Sequence, residues 1–465
     1  MDNAVVIDVG SFEIKAGLCA NYPCEQEPQL RLKNEVRILE NAEDRTVTMA
    51  SRKALEALPA ARPIQRGKIC HWDQLEALLD FAIFHGLRWP RGLGGNMLLA
   101  HPLSATKDDK ERLVQMFFES FGVTGLYVVD APVLALYAMG KLSGTVVDIG
   151  YGAVKIGAVH DGRLQGAGCV TLEGHGMQDV LARLVELLKE HQVPNWERVP
   201  RSQLTSLLER ALCCMESHEY FQGVKRGELP PSKGVLKKES LADKAEREGR
   251  EKKAAEERER EREKEKENGA GGEDGKKGDA AENGAADQGD KQDEEKKGSP
   301  GKAEKEGGAS KKEEVASDFA EYTLTDGTVV RIPKALGAEA VEALFVPQMV
   351  GLSGPGLGER VHNSGMLSVG AIERKMIVET VMVCGGGALV PGLVGRLNRE
   401  IQALAPKSWL AEVVDMPEYM PKSAQQHAVW AGGAVLAKMV FQEPRFITRQ
   451  DYHDIGPRVV HRRCP

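Results

Sequence analysis

Aromatic residues make up only 5% of this 465-residue chain, and basic charge is not in excess, since the formal net charge is −7. A chain with that balance lacks the electrostatic footprint of a nucleic-acid binder, and the parts of globular composition show no local basic patch. The eight cysteines are scattered, with no CxxC pair and no Cys/His cluster at metal spacing. That excludes a zinc site and a disulfide framework, and leaves free thiols in a reducing compartment. No apolar run approaches the roughly 20 residues of a membrane span. Met1 and Asp2 lead straight into a β-branched run, without the basic start and apolar core of a signal peptide. A soluble intracellular protein is expected, with no membrane partner and no direct sequence-specific nucleic-acid binding.

What the chain does have is a repeat. Val5–Gly17, VVIDVGSFEIKAG, and Thr145–Gly157, TVVDIGYGAVKIG, both read as a buried β-branched strand, an Asp at its end, a Gly-containing turn and a second strand. Two copies of one unit predict two similar halves facing each other across a cleft, each presenting an aspartate and a glycine turn. Backbone N–H groups in such turns form nests for phosphate oxygens. In the first, Gly10 supplies unusual backbone angles, Ser11 a hydroxyl and Lys15 a positive charge.

Helical spacing is read over His71–Leu87, Lys107–Phe121, Val133–Met139, Met177–Glu190 and Ser202–Met215, and short apolar runs at Asn96–Leu99 and Gly125–Val129 read as strands. This alternation signals an α/β fold with helices packed on a mainly parallel or mixed sheet. Residues from Pro23 to Pro63 read as loop with short strands. A hairpin is expected at Tyr322–Leu324 and Val329–Ile332. The strand Ile377–Cys384 runs into Gly385, Gly386 and Gly387 ahead of a helix at Leu393–Leu404, a close backbone approach suited to a flat or anionic ligand. A small-residue helix spans Trp430–Phe441.

Between about Gln222 and Asp318 the composition changes. Glu246–Lys266 is almost wholly Glu, Arg, Lys and Ala, a candidate solvated charged helix, and Asn268–Gly308 has no large apolar residues and is expected to be disordered. The expected organisation is a first half at 1–144 with a small, shortened peripheral subdomain at about 23–66, and a second half beginning at 145–221. A charged low-complexity insertion follows at 222–318, then the rest of the second half at 319–425, and a C-terminal segment at 426–465 that returns to the first half.

With these pieces placed, the chain resembles the actin superfamily over nearly its whole length apart from the insertion. The matches are VVIDVGSFEIKAG and VVDIGYG as the two phosphate loops, VMVCGGGALVPG as the adenosine loop, HWDQLEALLDFAIFHGLR, and the ending DYHDIGPRVVHRRCP. LSATKDDKERLVQMFFESFGVTGLYV, MPEYMP and YTLTDGTVVRIP look like the plant class of actin-related protein 7. The resemblance implies the actin/Hsp70/hexokinase superfold and, as ligands, ATP with magnesium. Asp8, Gly10, Ser11 and Lys15 match the first phosphate loop. Asp148, Gly150 and Gly152 match the second, with Gly174, Gly385, Gly386 and Gly387 around ribose and adenine. Asp8 and Asp148 are the implied water-mediated magnesium residues.

The departures fall on the chemistry. Phe12 and Glu13 replace a glycine and an apolar residue, and Tyr151 replaces an aspartate. The adenine side has Glu209, Arg210 and Gln426 in place of the family's residues. The water-positioning glutamine aligns with Ala131 and its neighbouring histidine with Lys155. Alanine cannot orient an attacking water, so no catalytic residue is assigned, and ATP is expected to bind weakly and structurally or not at all. The stretch between Val36 and Gly67 also lacks the family's polymerisation-loop pattern.

The implied function is a non-polymerising nuclear subunit of a chromatin-remodelling complex, present in the nucleus and also the cytoplasm. Its implied partners are a helix of the remodelling ATPase, other subunits and a second actin-family protein. The competing readings are a cytoskeletal ATPase that polymerises with ATP, and a sugar or acetate kinase, which has no place for GPRVVHRRCP.

Overall fold

The strand Ala4–Val9 lies near the middle of a six-stranded sheet in the computed structural model, which describes residues 4–22, 27–40, 45–48, 60–92, 94–235, 318–368, 370–417, 420–421, 423–443 and 445–464. On one side it pairs antiparallel with Glu13–Leu18, which continues to Leu30–Lys33; on the other it pairs parallel with Asn96–His101, followed by Gly125–Asp130 and Ile447–Thr448.

The second sheet repeats this plan. Gly144–Ile149 pairs antiparallel with Ala153–His160 and parallel with Thr380–Cys384, which leads to Glu412–Val413. The registers match as well: Asp8 lies opposite Lys15, and Asp148 opposite Lys155. The internal repeat is therefore a repeat of sheet topology, and the fold is the actin-like α/β arrangement expected.

Alternation along the strands distributes the apolar residues among three cores. Val5 and Ile7 face the first-half core, built with Leu75, Leu78, Phe117 and Val128. Val147 and Ile149 face the second-half core with Leu184, Leu207 and Leu397. The intervening positions, Val6 and Val146, turn to a third core between the sheets, filled by the helices Ala131–Ala138 and Ala424–Val440. Because strand side chains point alternately to the two faces, each hairpin serves both its own half and the seam. Gly432 lets the two seam helices touch, since a Cβ there would overlap the Leu134 carbonyl oxygen.

Several expected bounds shift. The helix at Trp72–Asp80 passes into a π-turn at Phe81–Gly86. Ile377 belongs to the end of the helix Ala371–Glu379, and the strand starts at Thr380, because Ile377 and Val378 bury themselves from a helical turn. The helix His218–Lys225 crosses the position expected to open the insertion, and order runs on to Val235, which bridges Met215. Phe221 and Val224 pack with Cys213, Met215 and Ala338, which explains the extension. The helix Ala424–Val440 likewise begins before the expected boundary at 426. The expected charged helix and disordered segment lie outside the described residues, as does part of the 36–67 stretch. Among the described residues no helix is long and apolar enough to cross a membrane, seven cysteines are free, and no group of His, Cys, Asp and Glu is arranged to hold a metal ion.

Candidate functional site

The two glycine turns come together as the repeat predicts, but what fills the space between them is the chain itself. Each turn closes by one backbone hydrogen bond, Gly10 N to Glu13 O and Gly150 N to Ala153 O, both 3.1 Å. Neither glycine has a positive φ, in contrast to the expectation for Gly10. Glycine is needed there for tightness: a Cβ on Gly10 would lie 2.8 Å from the Glu13 oxygen, and one on Gly150 would lie 3.0 Å from that of Ala153.

Between the turns sits a third hairpin, Ile64–Gln65 with Lys68–Ile69, whose tip is Arg66-Gly67. Both tip residues have positive φ, 49° and 80°, as a two-residue turn matching strand twist requires. The Gly67 N–H donates to Ser11 Oγ at 2.8 Å, and Ser104 Oγ donates to the Gly67 carbonyl at 2.7 Å. On the other side a Cβ on Gly152 would meet Arg66 Cα and Ser11 Oγ, both at 2.8 Å. The Ser11 hydroxyl, expected to face a phosphate, instead receives this backbone. Buried Asn34 pins the arrangement: its amide donates to the Ser11 and Ile64 carbonyls at 2.9 and 2.6 Å. Sequence reading missed Asn34, Arg66 and Ser104, for which the only local signal was the Arg-Gly turn pair.

The charges on the floor of the cleft are also internally matched. Lys15 Nζ is 3.2 Å from Asp8 Oδ2, and Lys155 Nζ is 3.9 Å from Asp148 Oδ2. Burial works against the Lys15 ammonium, but Asp8, Glu13 and Asp148 outweigh it and hold its pKa above the ordinary value. Burial pushes the Asp148 carboxyl up in spite of Lys155. Lys15 is thus Asp8's partner, not a free positive charge aimed at an anion.

Above this floor the Phe12 and Tyr151 rings meet with centroids 5.1 Å apart, and the Arg62 guanidinium lies over Tyr151 at 5.3 Å. The helix Met177–Glu190 begins against the second turn. Its first N–H groups, which a bound anion would use, donate to that turn instead: Met177 N to Gly150 O at 3.0 Å and Gln178 N to Tyr151 O at 2.9 Å. Asp179, in its first turn, accepts from Gly176 N and takes both Arg66 amino groups at 2.8 and 3.1 Å.

Gly385, with φ +87°, carries the third glycine turn against the second: a Cβ there would lie 2.5 Å from Asp148 Oδ1. Gly387 packs on Ile149, while Gly386 and Gly174 stay clear of close contacts. Ala131 and Pro132 line a cavity of about 10 Å³ with Asp148, Lys155 and Cys384, room for about one water molecule. As arranged, these residues do not fit a metal-bound triphosphate: both aspartates carry a lysine, the helix terminus is used, and two rings and a hairpin tip stand between the turns.

The actin family model matches residues 1–207 and 286–465. The chain belongs to the actin family. It is 28% identical over 465 residues to Actin-related protein 7 of Arabidopsis thaliana, covering 99% of each chain. Against Actin-related protein 7 of Oryza sativa subsp. indica it is 27% identical over 461 residues, again covering 99% of each. Actin-related protein 2 of Saccharomyces cerevisiae is 23% identical over 475 residues, covering 98% of this chain and 97% of the relative. These relatives of the actin-family chain are actin-related proteins.

Proposed function

We propose that this protein is a non-polymerising nuclear actin-related protein that works as a structural subunit of a chromatin-remodelling complex. In this reading it binds a helix of the remodelling ATPase, with at most vestigial ATP binding and no significant hydrolysis. The observation that carries it is Ala131 beside Asp148 and Lys155. Hydrolysis in this fold needs a polar group to set water in line with the γ-phosphate, and a methyl group supplies neither donor nor acceptor.

The partner side rests on the actin-like seam. The helices Ala131–Ala138 and Ala424–Val440 pack together, and Leu142, just past the first, and Met439, in the last turn of the second, are each about half exposed. Apolar residues beside a helix pair suit the apolar face of an amphipathic helix. A second actin-family protein is a further partner in this reading, and the nucleus the main location, with a cytoplasmic pool. Affinity purification of the full chain from native nuclei tests it. Co-purifying remodelling subunits, lost with Leu142→Asp and Met439→Asp, are expected; recovery of cytoskeletal proteins in their place overturns the proposal.

A further inference from the structure

We propose that the hairpin tip Arg66-Gly67 and the ion pairs Arg66–Asp179 and Lys68–Glu173 bridge the two halves in place of a metal-bound nucleotide. This deepens, and rests on, the reading of the cleft as non-catalytic.

Three independent observations converge on it. First, the tip touches both glycine turns, through Ser11 on one side and Gly152 on the other. Second, the charges run from half to half: Arg66 and Lys68 leave the first half and end on Asp179 and Glu173 of the second. Arg66 binds its carboxylate with two parallel N–H bonds, the geometry that makes arginine–carboxylate pairs specific as well as attractive. Third, Asp8–Lys15 and Asp148–Lys155 bring the floor to formal neutrality, two carboxylates against two ammonium groups. A divalent cation entering alone would meet like charge from both lysines within a few ångströms of its would-be ligands. In a nucleotide-bridged cleft the phosphates and metal supply cohesion between halves. Here groups of the chain itself stand between the two turns, so the link between the halves needs no bound ligand.

Arg66 adopts φ 49°, a region that asparagine tolerates and most side chains avoid. Arg66→Asn therefore removes the guanidinium while keeping the turn. Hydrogen exchange on the purified full chain, followed by mass spectrometry, reads the bridge at residues 64–69 and in the first turn of Met177–Glu190. In the unaltered protein, protection there is expected to be the same with EDTA, magnesium alone and magnesium-ATP. Arg66→Asn is expected to accelerate exchange at both places by about fivefold, the scale of one partly exposed ion pair. Lys68→Ala leaves the turn untouched and carries the test should Arg66→Asn fail to fold. Protection gained with magnesium-ATP and lost with EDTA overturns the bridge, as does unchanged exchange in a folded Arg66→Asn. The failures are separable: a chain that recovers no remodelling subunits defeats the proposed function and leaves the exchange result standing.

Discussion

The rings of Phe12 and Tyr151 meet at 5.1 Å between centroids, one on each glycine turn of the internal repeat. Each ring replaces a residue that the family resemblance places beside phosphate, and each is one residue or two past a turn glycine. Their contact belongs to both halves at once, and Arg62 covers the second ring from above.

The pair is expected to couple energetically. Phe12→Ala and Tyr151→Ala should each destabilise, and the double variant should lose about 0.5–1.5 kcal/mol less than their sum, the range for aromatic pairs. Urea unfolding of the four proteins measures it. Strict additivity would mean that the rings touch without contributing to cohesion.

Phosphate release from ATP by the purified protein is expected to match buffer. Ala131→Gln alone should not raise it, since the Phe12–Tyr151 contact and Lys155 remain in place. Turnover above background that Asp148→Ala abolishes would refute the reading of the cleft as non-hydrolytic.

Acid sensitivity is expected from His427. It is fully buried on the seam helix with no partner for either ring nitrogen among the described residues, and burial, then Lys15 and Arg31, push its pKa down to about 4. Unfolded histidine titrates near 6.5, so between there and about 4 the unfolded state binds more protons and stability falls as pH drops. The loss between pH 7 and 5 should be on the order of 1–2 kcal/mol in urea unfolding. His427→Phe should flatten that part of the curve; an unchanged slope would remove His427 as its source.

The second half contains a buried ion pair whose breaking should be severe. Arg396 and Glu342 are 2% and 1% exposed, and the guanidinium also lies 4.2 Å from the Phe345 ring centre. Glu342→Ala leaves the buried Arg396 with the partly buried Glu400, 3.0 Å from its Nε, as its remaining carboxylate, and should cost about 3 kcal/mol, the lower end for breaking a buried pair. The apolar double variant Arg396→Met with Glu342→Leu should recover much of it. Thermal unfolding distinguishes the two, and equal loss in both would mean that packing and not charge dominates.

At the seam, Gly432→Ala should destabilise by about 1–3 kcal/mol, because its Cβ overlaps the Leu134 carbonyl and the helices must separate. Gly227→Ala, where a Cβ meets nothing within 4 Å but φ is +75°, separates backbone strain from helix crowding. If the two cost the same, steric closeness at the seam is not what glycine provides there.

Most of the architecture was legible because it depends on local patterns. The alternation in Val5–Asp8 and Val146–Ile149 set which residues face which core, and helical spacing located Met177–Glu190 and Leu393–Leu404 at their observed bounds. The helix end at Glu379 was read as strand because a short apolar run has the same appearance in both forms until its neighbours are known. The expected insertion boundary at 222 cuts through the helix His218–Lys225, whose short apolar face sits beside strongly charged sequence and is held by Ala338 from far along the chain.

By itself, the sequence determined the repeat, the identities at the two Asp–Lys positions, and an alanine at position 131, where the family resemblance implies a glutamine. These are matters of residue identity and of period along one segment. Only the tertiary structure decided what occupies the cleft. Arg66 and Asp179 are 113 residues apart, Gly67 and Ser11 are 56 apart, and Phe12 and Tyr151 lie on different sheets. No local pattern links such residues, because their contact energies are collected only after both halves have folded and closed on each other.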